Sequence, residues 1–354
     1  MKFPVLFTAI ALFAVACGKP AEPAATNAEP VAAPAVPSAG VLNVYSARHY
    51  DSDKVMYDTF EKETGIHVRF RESGAPELIE TMKAEGDKSP ADVIISSDVG
   101  TLYRFQAGGF TQGIRSETLE SLIPPHFREP NGNWFGLARR ARIIVYDPTR
   151  LKPEDVAHYQ DLANGKLHGE ICMRSSSNVY NLSLMGEFIG RWGSDKAAEW
   201  ARNVVANFAR PPQGGDTTQI ESIAAGECSA ALINHYYWVR MATGTDAEKA
   251  ATAKTALSFP EQDGVGTHIN ISGAAVAAHA PNKENAVRFI EWLTTAEGQQ
   301  MLTSATKEFP MVAGMPLPAG LEQLPDFKAS EFPLQELGEH QAEAQEIYDR
   351  AGWN

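Results

Sequence analysis

The chain has 354 residues, with 44 acidic against 31 basic side chains and a formal net charge of −13. An excess of negative charge of this size weighs against nucleic acid as a partner and suits a soluble exported protein. Residues 41–354 are numerous enough for two α/β lobes of about 150 residues each.

The start of the chain predicts export and a lipid anchor. Residues 3–16 form an apolar run with the length of a secretory signal, too short to span a bilayer. The run ends in Ala14-Val15-Ala16-Cys17-Gly18, which resembles the lipobox of bacterial lipoproteins. We therefore expect residues 1–16 to be removed, Cys17 to be lipidated and the Ala- and Pro-rich residues 17–40 to be a tether. The alternative is an ordinary signal that leaves an unmodified thiol.

These features predict a periplasmic protein that is lipid-anchored to a bacterial membrane. After residue 40 no segment approaches the roughly 18 consecutive apolar residues that a membrane-spanning helix needs. We therefore expect the folded part of the protein to remain outside the bilayer.

Strands and helices alternate along the folded part, which is typical of α/β layers. The first predicted elements, in chain order, are strand 42–45, helix 51–64, strand 66–70, helix 76–85 and strand 91–95. Within the first helix we expect Val55 and Phe60 to face the core.

Three later segments complete the predicted fold. Arg142–Tyr146 and Gly273–Ala278 are predicted to be extended and to pass between two lobes. Residues 282–304 are predicted to form one amphipathic helix.

Two cysteines, Cys172 and Cys228, follow Cys17. In an oxidising compartment they could pair, but a disulfide needs Cα atoms within about 7 Å, which the sequence cannot establish. Between the two alternatives we favour two separate buried thiols.

The adjacent tyrosines Tyr236 and Tyr237 are the strongest functional signal. Neighbouring side chains on a helix or strand diverge by roughly 100 to 180°, so two phenol oxygens reach one point only from a loop or a helix start. The structural alternative is one buried and one exposed tyrosine.

Enzymatic motifs are missing from the sequence. It contains no G-x-S-x-G, Walker loop, H-E-x-x-H or dinucleotide-binding G-x-G-x-x-G. We therefore expect a binding protein rather than an enzyme.

Several motifs together resemble a known family. They are Tyr45-Ser46-Ala47-Arg48-His49-Tyr50, Ser89-Pro90-Ala91-Asp92-Val93, Arg174-Ser175-Ser176-Ser177-Asn178, Tyr236-Tyr237 and the stretch Gly264–Gly273. Their order and spacing are similar to those of the ferric-iron-binding proteins of bacterial ABC importers, in particular the cyanobacterial-type branch.

The resemblance implies a two-lobed periplasmic-binding-protein fold of type II, with two α/β lobes joined by crossing hinge strands. The implied N-lobe contains residues 41–139 and 268–318, and the implied C-lobe contains residues 140–267 and 319–354. The resemblance also implies a monomer that delivers its cargo to an inner-membrane ABC permease.

The implied cargo is Fe³⁺, held between the lobes by Tyr50, Tyr180, Tyr236 and Tyr237. A hard trivalent cation prefers anionic oxygen, and the metal must drive the phenols to ionise, since their ordinary pKa is near 10. Whether the resting site holds Fe³⁺ or Fe²⁺ is left open.

Other residues are candidates for supporting roles. Four phenolates around Fe³⁺ leave a charge of −1, which Arg48, Arg140, Arg174 or Arg240 could balance, and the resemblance favours Arg140 and Arg240. His49 is a candidate ligand or neighbour of the ligands, and His235 is expected to be a loop histidine. Ser175, Ser176, Ser177 and Asn178 form either an anion or water site or a helix cap and loop.

A second function remains open on the same fold. The protein could bind a small organic solute such as a polyamine, sugar or phosphonate. Such pockets stack aromatic rings on the ligand and spread carboxylates around amines, rather than converging phenol oxygens.

Overall fold

The computed structural model describes residues 40–48 and 50–354. The predicted signal, Cys17, the tether before residue 40 and His49 lie outside the described residues. Those predictions therefore stay predictions.

Ten strands are found in the described residues, and they join in one sheet. They are β1 Val41–Ser46, β2 His67–Glu72, β3 Val93–Ser96, β4 Thr111–Gln112, β5 Phe135–Tyr146, β6 Ile171–Cys172, β7 Ala230–Asn234, β8 Ala256–Ser258, β9 Ile269–Ala277 and β10 Phe309–Pro310.

Thirteen α-helices surround this sheet in the same part of the chain. They are α1 Ser52–Thr64, α2 Ala75–Glu85, α3 Val99–Ala107, α4 Glu117–Leu122, α5 Val179–Trp192, α6 Ser194–Ala206, α7 Asp216–Ala224, α8 His235–Ala242, α9 Asp246–Thr252, α10 Lys283–Trp292, α11 Ala296–Thr303, α12 Leu334–Glu339 and α13 Gln341–Ala351.

Strand β5 connects the two halves of the sheet. The main strand order is β2-β1-β3-β9-β5-β7-β6, with β1 parallel to both β2 and β3. The first part of β5, up to Ala141, pairs with β9, and the part from Arg142 onwards pairs with β7 and β8. The chain thus crosses from one half to the other at residues 141–142. The lobe boundaries given above stay predictions.

Helix α1 turns a different face to the core than the sequence indicates. Phe60 is buried as predicted, together with Met56 and Tyr57, but Val55 is 57% exposed, so that part of the prediction was wrong. Met56 lies four residues before Phe60 and shares its face, whereas Val55 lies roughly 140° around the helix from Phe60.

The single helix predicted for residues 282–304 is wrong, because the chain forms α10 and α11 with a break between them. The Thr294 hydroxyl donates to the carbonyl of Glu291 at 2.6 Å, and the Thr295 hydroxyl caps α11 by accepting from the Gly298 amide at 3.1 Å. Threonine side chains that bond nearby backbone groups compete with helix continuation. The apolar periodicity continues across the break and conceals it.

Cys172 and Cys228 form a disulfide, so the prediction of two separate thiols was wrong. Cys172 ends β6, and Cys228 lies just before β7, which pairs with β6 in parallel. This pairing brings the two Cα atoms to 5.8 Å, although the residues are 56 positions apart. The proximity depends on strand order, which neither cysteine's local sequence reveals.

Helix α12, the last but one of these helices, packs against both α3 and α5. A Cβ atom at Gly186 of α5 would lie 2.9 Å from the carbonyl oxygen of Leu337. A Cβ atom at Gly338 of α12 would lie 2.5 Å from the Cβ of Tyr103 in α3. Glycine is therefore needed at both close approaches.

Within residues 40–48 and 50–354, none of the helices combines the length and the apolar character that crossing a membrane would require.

Candidate metal site

The tyrosine pair lies at the start of a helix, where its two rings share a direction. Strand β7 ends at Asn234 opposite Arg142 of β5, and α8 begins at His235. The rings of Tyr236 and Tyr237 stack with centroids 4.6 Å apart and an interplanar angle of 30°. Both phenols therefore stay together at the crossing point of β5, with Tyr236 fully buried.

Tyr180 reaches the same place from another helix start. Asn178 caps α5 by accepting from the Tyr180 amide at 3.0 Å, which fixes the first turn. The Tyr236 hydroxyl donates to the Tyr180 hydroxyl at 3.1 Å. The Asn234 side-chain amide donates to the Tyr236 hydroxyl at 3.3 Å.

Tyr50 comes from a third segment, the turn that leads into α1. The charge of an ionised Tyr50 raises the pKa of Tyr180 and of Tyr236, and the charge of an ionised Tyr237 raises the pKa of Tyr50. The Tyr50 phenol is therefore an electrostatic neighbour of the other three. The fold thus brings together all four tyrosines that the resemblance indicates.

Burial raises the pKa of Tyr50, Tyr180, Tyr236 and Tyr237, and their mutual repulsion when ionised adds to this effect. The pKa of Tyr237 is raised to about 12. A phenol in such surroundings keeps its proton at neutral pH unless a cation replaces it. The cluster is therefore suited to a cation of high charge.

Guanidinium groups lie against the tyrosine rings. Arg240 is 5.2 Å from the ring centroid of Tyr236 and 4.6 Å from that of Tyr237. Arg140 and Arg174 lie 5.6 and 5.4 Å from the centroid of Tyr180. Arg48 lies 4.9 Å from the Tyr50 ring. All four arginines proposed from the sequence are thus near the tyrosines, and the family-favoured Arg140 and Arg240 are not distinguished by proximity.

Glu308 is a buried residue of this region that the sequence does not indicate. Its carboxylate lies 2.9 Å from Arg140 and 3.6 Å from Arg48, and it accepts from the Ser272 hydroxyl at 2.8 Å. Arg140 also donates to the carbonyl of Ser97. Glu308 lies just before β10, whose pairing with β5 positions it. No local motif marks this residue.

Asp216, at the start of α7, is a second buried carboxylate that the sequence does not indicate. It forms ion pairs with Arg142 at 2.7 Å and with Arg174 at 2.9 Å. The preceding Gly214-Gly215 turn is visible in the sequence, but that turn gives no sign of the partners.

His235 is not a loop histidine, because it is the first residue of α8 and is fully buried. Its Nδ1 accepts from the Ala141 amide at 3.1 Å, and its Nε2 faces the carbonyl of Lys307 at 3.1 Å. Burial lowers the pKa of His235 to about 3, so the ring is neutral. It braces the crossing strand rather than facing a ligand.

The serine run forms the turn before α5. Ser176 is buried, the Ser175 and Ser177 hydroxyls lie 3.0 Å apart, and Asn178 rather than a serine caps the helix. The cap and loop interpretation accounts for these contacts. The anion or water site stays a prediction.

In the described part of the chain, no group of three or more His, Cys, Asp or Glu side chains is arranged to hold a metal. A cavity of about 600 Å³ is lined by residues including Phe188, Trp192 and Glu187 and by none of the four tyrosines. Its Glu187 already accepts from His268 at 2.5 Å and from Ser330 at 2.5 Å. This carboxylate is therefore occupied by internal donors.

Comparison with known proteins gives consistent results over most of the chain. Residues 55–329 match the model of the bacterial extracellular solute-binding protein family. The chain is 42% identical over 313 residues to Iron uptake protein A1 of Synechocystis sp., covering 88% of this chain and 87% of that protein.

Solved structures agree in both fold and sequence. The Trichodesmium protein IdiA (FutA), in complex with iron and citrate ligands, is 42% identical with a TM-score of 0.84, covering 89% of this chain and 100% of that one. The ferric binding protein from Campylobacter jejuni is 36% identical with a TM-score of 0.84, covering 88% and 100%. The predicted two-lobed, type II periplasmic-binding-protein fold is thereby confirmed.

Proposed function

Since the chain belongs to the family of bacterial extracellular solute-binding proteins, we propose that it is the substrate-binding component of an ABC iron importer. It binds Fe³⁺ in the cleft between its lobes and delivers the ion to an inner-membrane permease. The observation that carries this proposal is the convergence of four phenols from three segments: Tyr50, Tyr180 and the pair Tyr236 and Tyr237.

The charge around the phenols suits a trivalent cation. Fe³⁺ with four phenolates has a charge of −1, and the guanidiniums of Arg48, Arg140, Arg174 and Arg240 lie 4.6 to 5.6 Å from the tyrosine ring centroids. Glu308 and Asp216 offset part of this positive charge. The surroundings therefore stabilise a complex of small net charge in a buried place.

Iron binding releases protons, because each phenol must lose one to become a ligand. The raised pKa values of the free tyrosines add to the cost of that loss. Affinity for Fe³⁺ therefore decreases as the pH falls. Fe²⁺, with one charge less, leaves the phenolates less well neutralised and is held more weakly.

The cellular setting completes the proposal. We propose export to the periplasm, a lipid on Cys17 and a monomeric state; the signal-like and lipobox-like residues 3–18 support the first two. We also propose the lobe boundaries 41–139 with 268–318 and 140–267 with 319–354, which are supported by the crossing of β5 at residues 141–142.

An organic solute is the weaker alternative. It would favour the large cavity near Phe188 and Trp192, but Glu187 there is already hydrogen-bonded to His268 and Ser330. The tyrosine cluster has converging hydroxyl groups, which are ligands for a hard metal rather than a stacking surface.

Ferric titration of the Tyr236→Phe/Tyr237→Phe variant tests the function. The wild-type protein should turn orange-red through phenolate-to-Fe³⁺ charge transfer, and the variant should lose the colour and at least about 100-fold in affinity. Tyr45→Phe is the matched control, because it removes a phenol that donates to Glu85 at 2.7 Å on the outer part of the sheet. Full Fe³⁺ binding by the double variant would refute the proposal.

The anchor has its own test. Cys17→Ala should move the protein from the membrane fraction to the soluble periplasmic fraction and abolish labelling by a radioactive fatty acid. Labelling that persists in this variant would contradict lipidation at Cys17.

A further inference from the structure

We propose that Asp216 is the positioning residue that holds three of the four tyrosines in place for iron. The proposal rests on the ferric-binding function proposed above and adds a residue to it. Asp216 does not contact the phenol oxygens itself and acts through three intermediates, Arg142, Arg174 and Asn234.

The carboxylate of Asp216 is fully buried and accepts from three donors. One oxygen, Oδ2, accepts from Arg142 Nη1 at 2.7 Å and from the Asn234 backbone amide at 2.7 Å. The other, Oδ1, accepts from Arg174 Nη1 at 2.9 Å. These donors belong to β5, to the end of β7 and to the segment between β6 and α5.

The Asn234 bond fixes the tyrosine pair. Asn234 is the last residue of β7 and lies two positions before Tyr236. Its backbone amide is held by Asp216, and its side-chain amide donates to the Tyr236 hydroxyl at 3.3 Å. The start of α8, and with it both rings, is therefore oriented from Asp216.

The two arginines fix Tyr180. Arg174 lies 5.4 Å from the centroid of the Tyr180 ring. Arg142 donates through Nη2 to the side chain of Asn181, the next residue, at 2.8 Å. Two of the three Asp216 bonds thus lead to the first turn of α5.

Replacing Asp216 by Asn removes both the negative charge and one of the two acceptor oxygens on which this arrangement depends. An amide has one acceptor oxygen and a donor group, so it cannot accept from all three partners. The guanidiniums of Arg142 and Arg174 would also lose the charge that compensates them, which is costly for buried groups. The first turns of α5 and α8 would then no longer be held at a fixed separation.

A residue that orients metal ligands typically contributes about 10- to 100-fold to metal affinity when it is removed. We expect a loss of this size for Fe³⁺ with D216N, together with a weaker and shifted charge-transfer band. The band reports the geometry of the phenolates around iron, which general destabilisation of the protein leaves unchanged.

Asp92 provides the matched control. Its carboxylate is also fully buried and accepts from the Asn43 amide at 2.8 Å and the Asn282 amide at 2.7 Å. These partners lie on β1 and before α10, away from the tyrosine cluster. D92N should lower the melting temperature while leaving the affinity and the band of the iron-loaded protein as in the wild type.

The experiment compares wild-type, D216N, D216E and D92N proteins. Each is titrated with ferric nitrilotriacetate, and affinity, visible spectrum and melting temperature are recorded. D216E keeps the charge that compensates Arg142 and Arg174 and displaces only the acceptor oxygens, so it is the milder variant if D216N fails to fold. Reduced affinity with an altered band in D216N or D216E, but not in D92N, supports the proposal.

Three results would overturn the proposal. The first is wild-type affinity and an unchanged band in both D216N and D216E. The second is an equal loss of affinity in D92N, which would make the effect one of stability. The third is a wild-type protein that binds no Fe³⁺. The wild-type titration would then refute the proposed function itself, independently of the variants.

Discussion

Glu308 shows how a buried carboxylate remains ionised beside the tyrosine cluster. Burial acts to raise the pKa of Glu308, but the guanidiniums of Arg140 and Arg48 outweigh it and lower the pKa overall. Arg48 lies two residues before Tyr50, and its guanidinium is 4.9 Å from the Tyr50 ring centroid. Glu308 therefore supports the segment that carries Tyr50, which Asp216 does not contact.

We expect Glu308→Gln to weaken Fe³⁺ binding by about tenfold, because Arg48 and Arg140 lose their shared counter-charge and Tyr50 loses its support. Titration of E308Q, Y50F and the double variant forms a double-mutant cycle. If Glu308 acts through Tyr50, the double variant should bind about as weakly as Y50F. Additive losses would show that Glu308 acts by another route.

At the level of single residues, the sequence could predict the tyrosines but not the buried carboxylates that hold the neighbouring arginines. Adjacent Tyr236 and Tyr237 form a local pattern with a chemical meaning, and so does the segment around Tyr50. Glu308 and Asp216 acquire their roles only when distant segments meet, since Arg140 is 168 positions from Glu308 and Arg142 is 74 from Asp216. The prediction of a loop at His235 is wrong because nothing in the local sequence shows that β7 runs directly into α8.

Among the elements, α5 connects the site to the rest of the structure through Glu187. Burial acts to raise the pKa of this carboxyl, but the hydrogen bond and charge of His268 and the bonds from Ser330 and Arg191 outweigh it and lower the pKa. The donors are His268 just before β9, Ser330 in the segment before α12 and Arg191 of α5 itself. The ionised form thus joins three elements.

This network predicts a loss of stability in acid. A carboxyl whose pKa is lowered on folding stabilises the protein above its unfolded pKa, about 4.3 for Glu, and the contribution is lost as the pH falls through the lower folded value. Denaturant unfolding of wild type and Glu187→Gln from pH 7 to pH 3 measures it. The difference in unfolding free energy between the two proteins should shrink below about pH 4.3. A difference that stays constant would contradict this assignment.

The disulfide between Cys172 and Cys228 should stabilise the β6 and β7 pair. Replacing both cysteines by alanine should lower the free energy of unfolding by about 2 to 4 kcal/mol, because the unfolded chain regains the freedom of a long loop. Chemical denaturation with and without a reductant measures this loss. The reductant should destabilise the wild type and leave the alanine variant unchanged.

The prediction of helices and strands succeeded where the apolar pattern of the sequence matched burial in the structure. It failed where side chains hydrogen-bond to the backbone and end a helix. Residues 42–45 and 91–95 are apolar except for Asn43 and Asp92, and they lie in or beside buried strands. The α10 to α11 break depends on Thr294 and Thr295 bonding to the backbone, which an apolar pattern cannot show. The disulfide depended on strand order, which is a property of the whole sheet.

For the whole molecule, the tyrosines lie at the crossing of β5 and come from segments on either side of it. Iron bound by Tyr50 and by the other three tyrosines would therefore draw those segments together, as in hinge-bending binding proteins. Apo and iron-loaded protein should differ in radius of gyration by small-angle X-ray scattering, with the loaded form smaller. The Y236F/Y237F protein is the control and should show no change on addition of iron.

Two-lobed architecture could be predicted for the whole molecule because strands and helices alternate over residues 41–354 and the family motifs keep their order. The position of the crossing could be predicted only approximately. Arg142–Tyr146 was identified as extended, but β5 begins at Phe135, and its first half has small and charged residues that do not alternate with the polarity expected of a strand.

Helix α12 has a consequence for how the cleft can open. It packs against α3 and α5 at the same time. Gly338 lies so close to Tyr103, and Gly186 so close to Leu337, that neither position has room for a methyl group. If α3 and α5 rotate apart, α12 can therefore stay packed against only one of these two helices and must lose its contacts with the other. The residues from α12 onwards lie far from the tyrosines along the chain, and this packing resists the opening of the cleft.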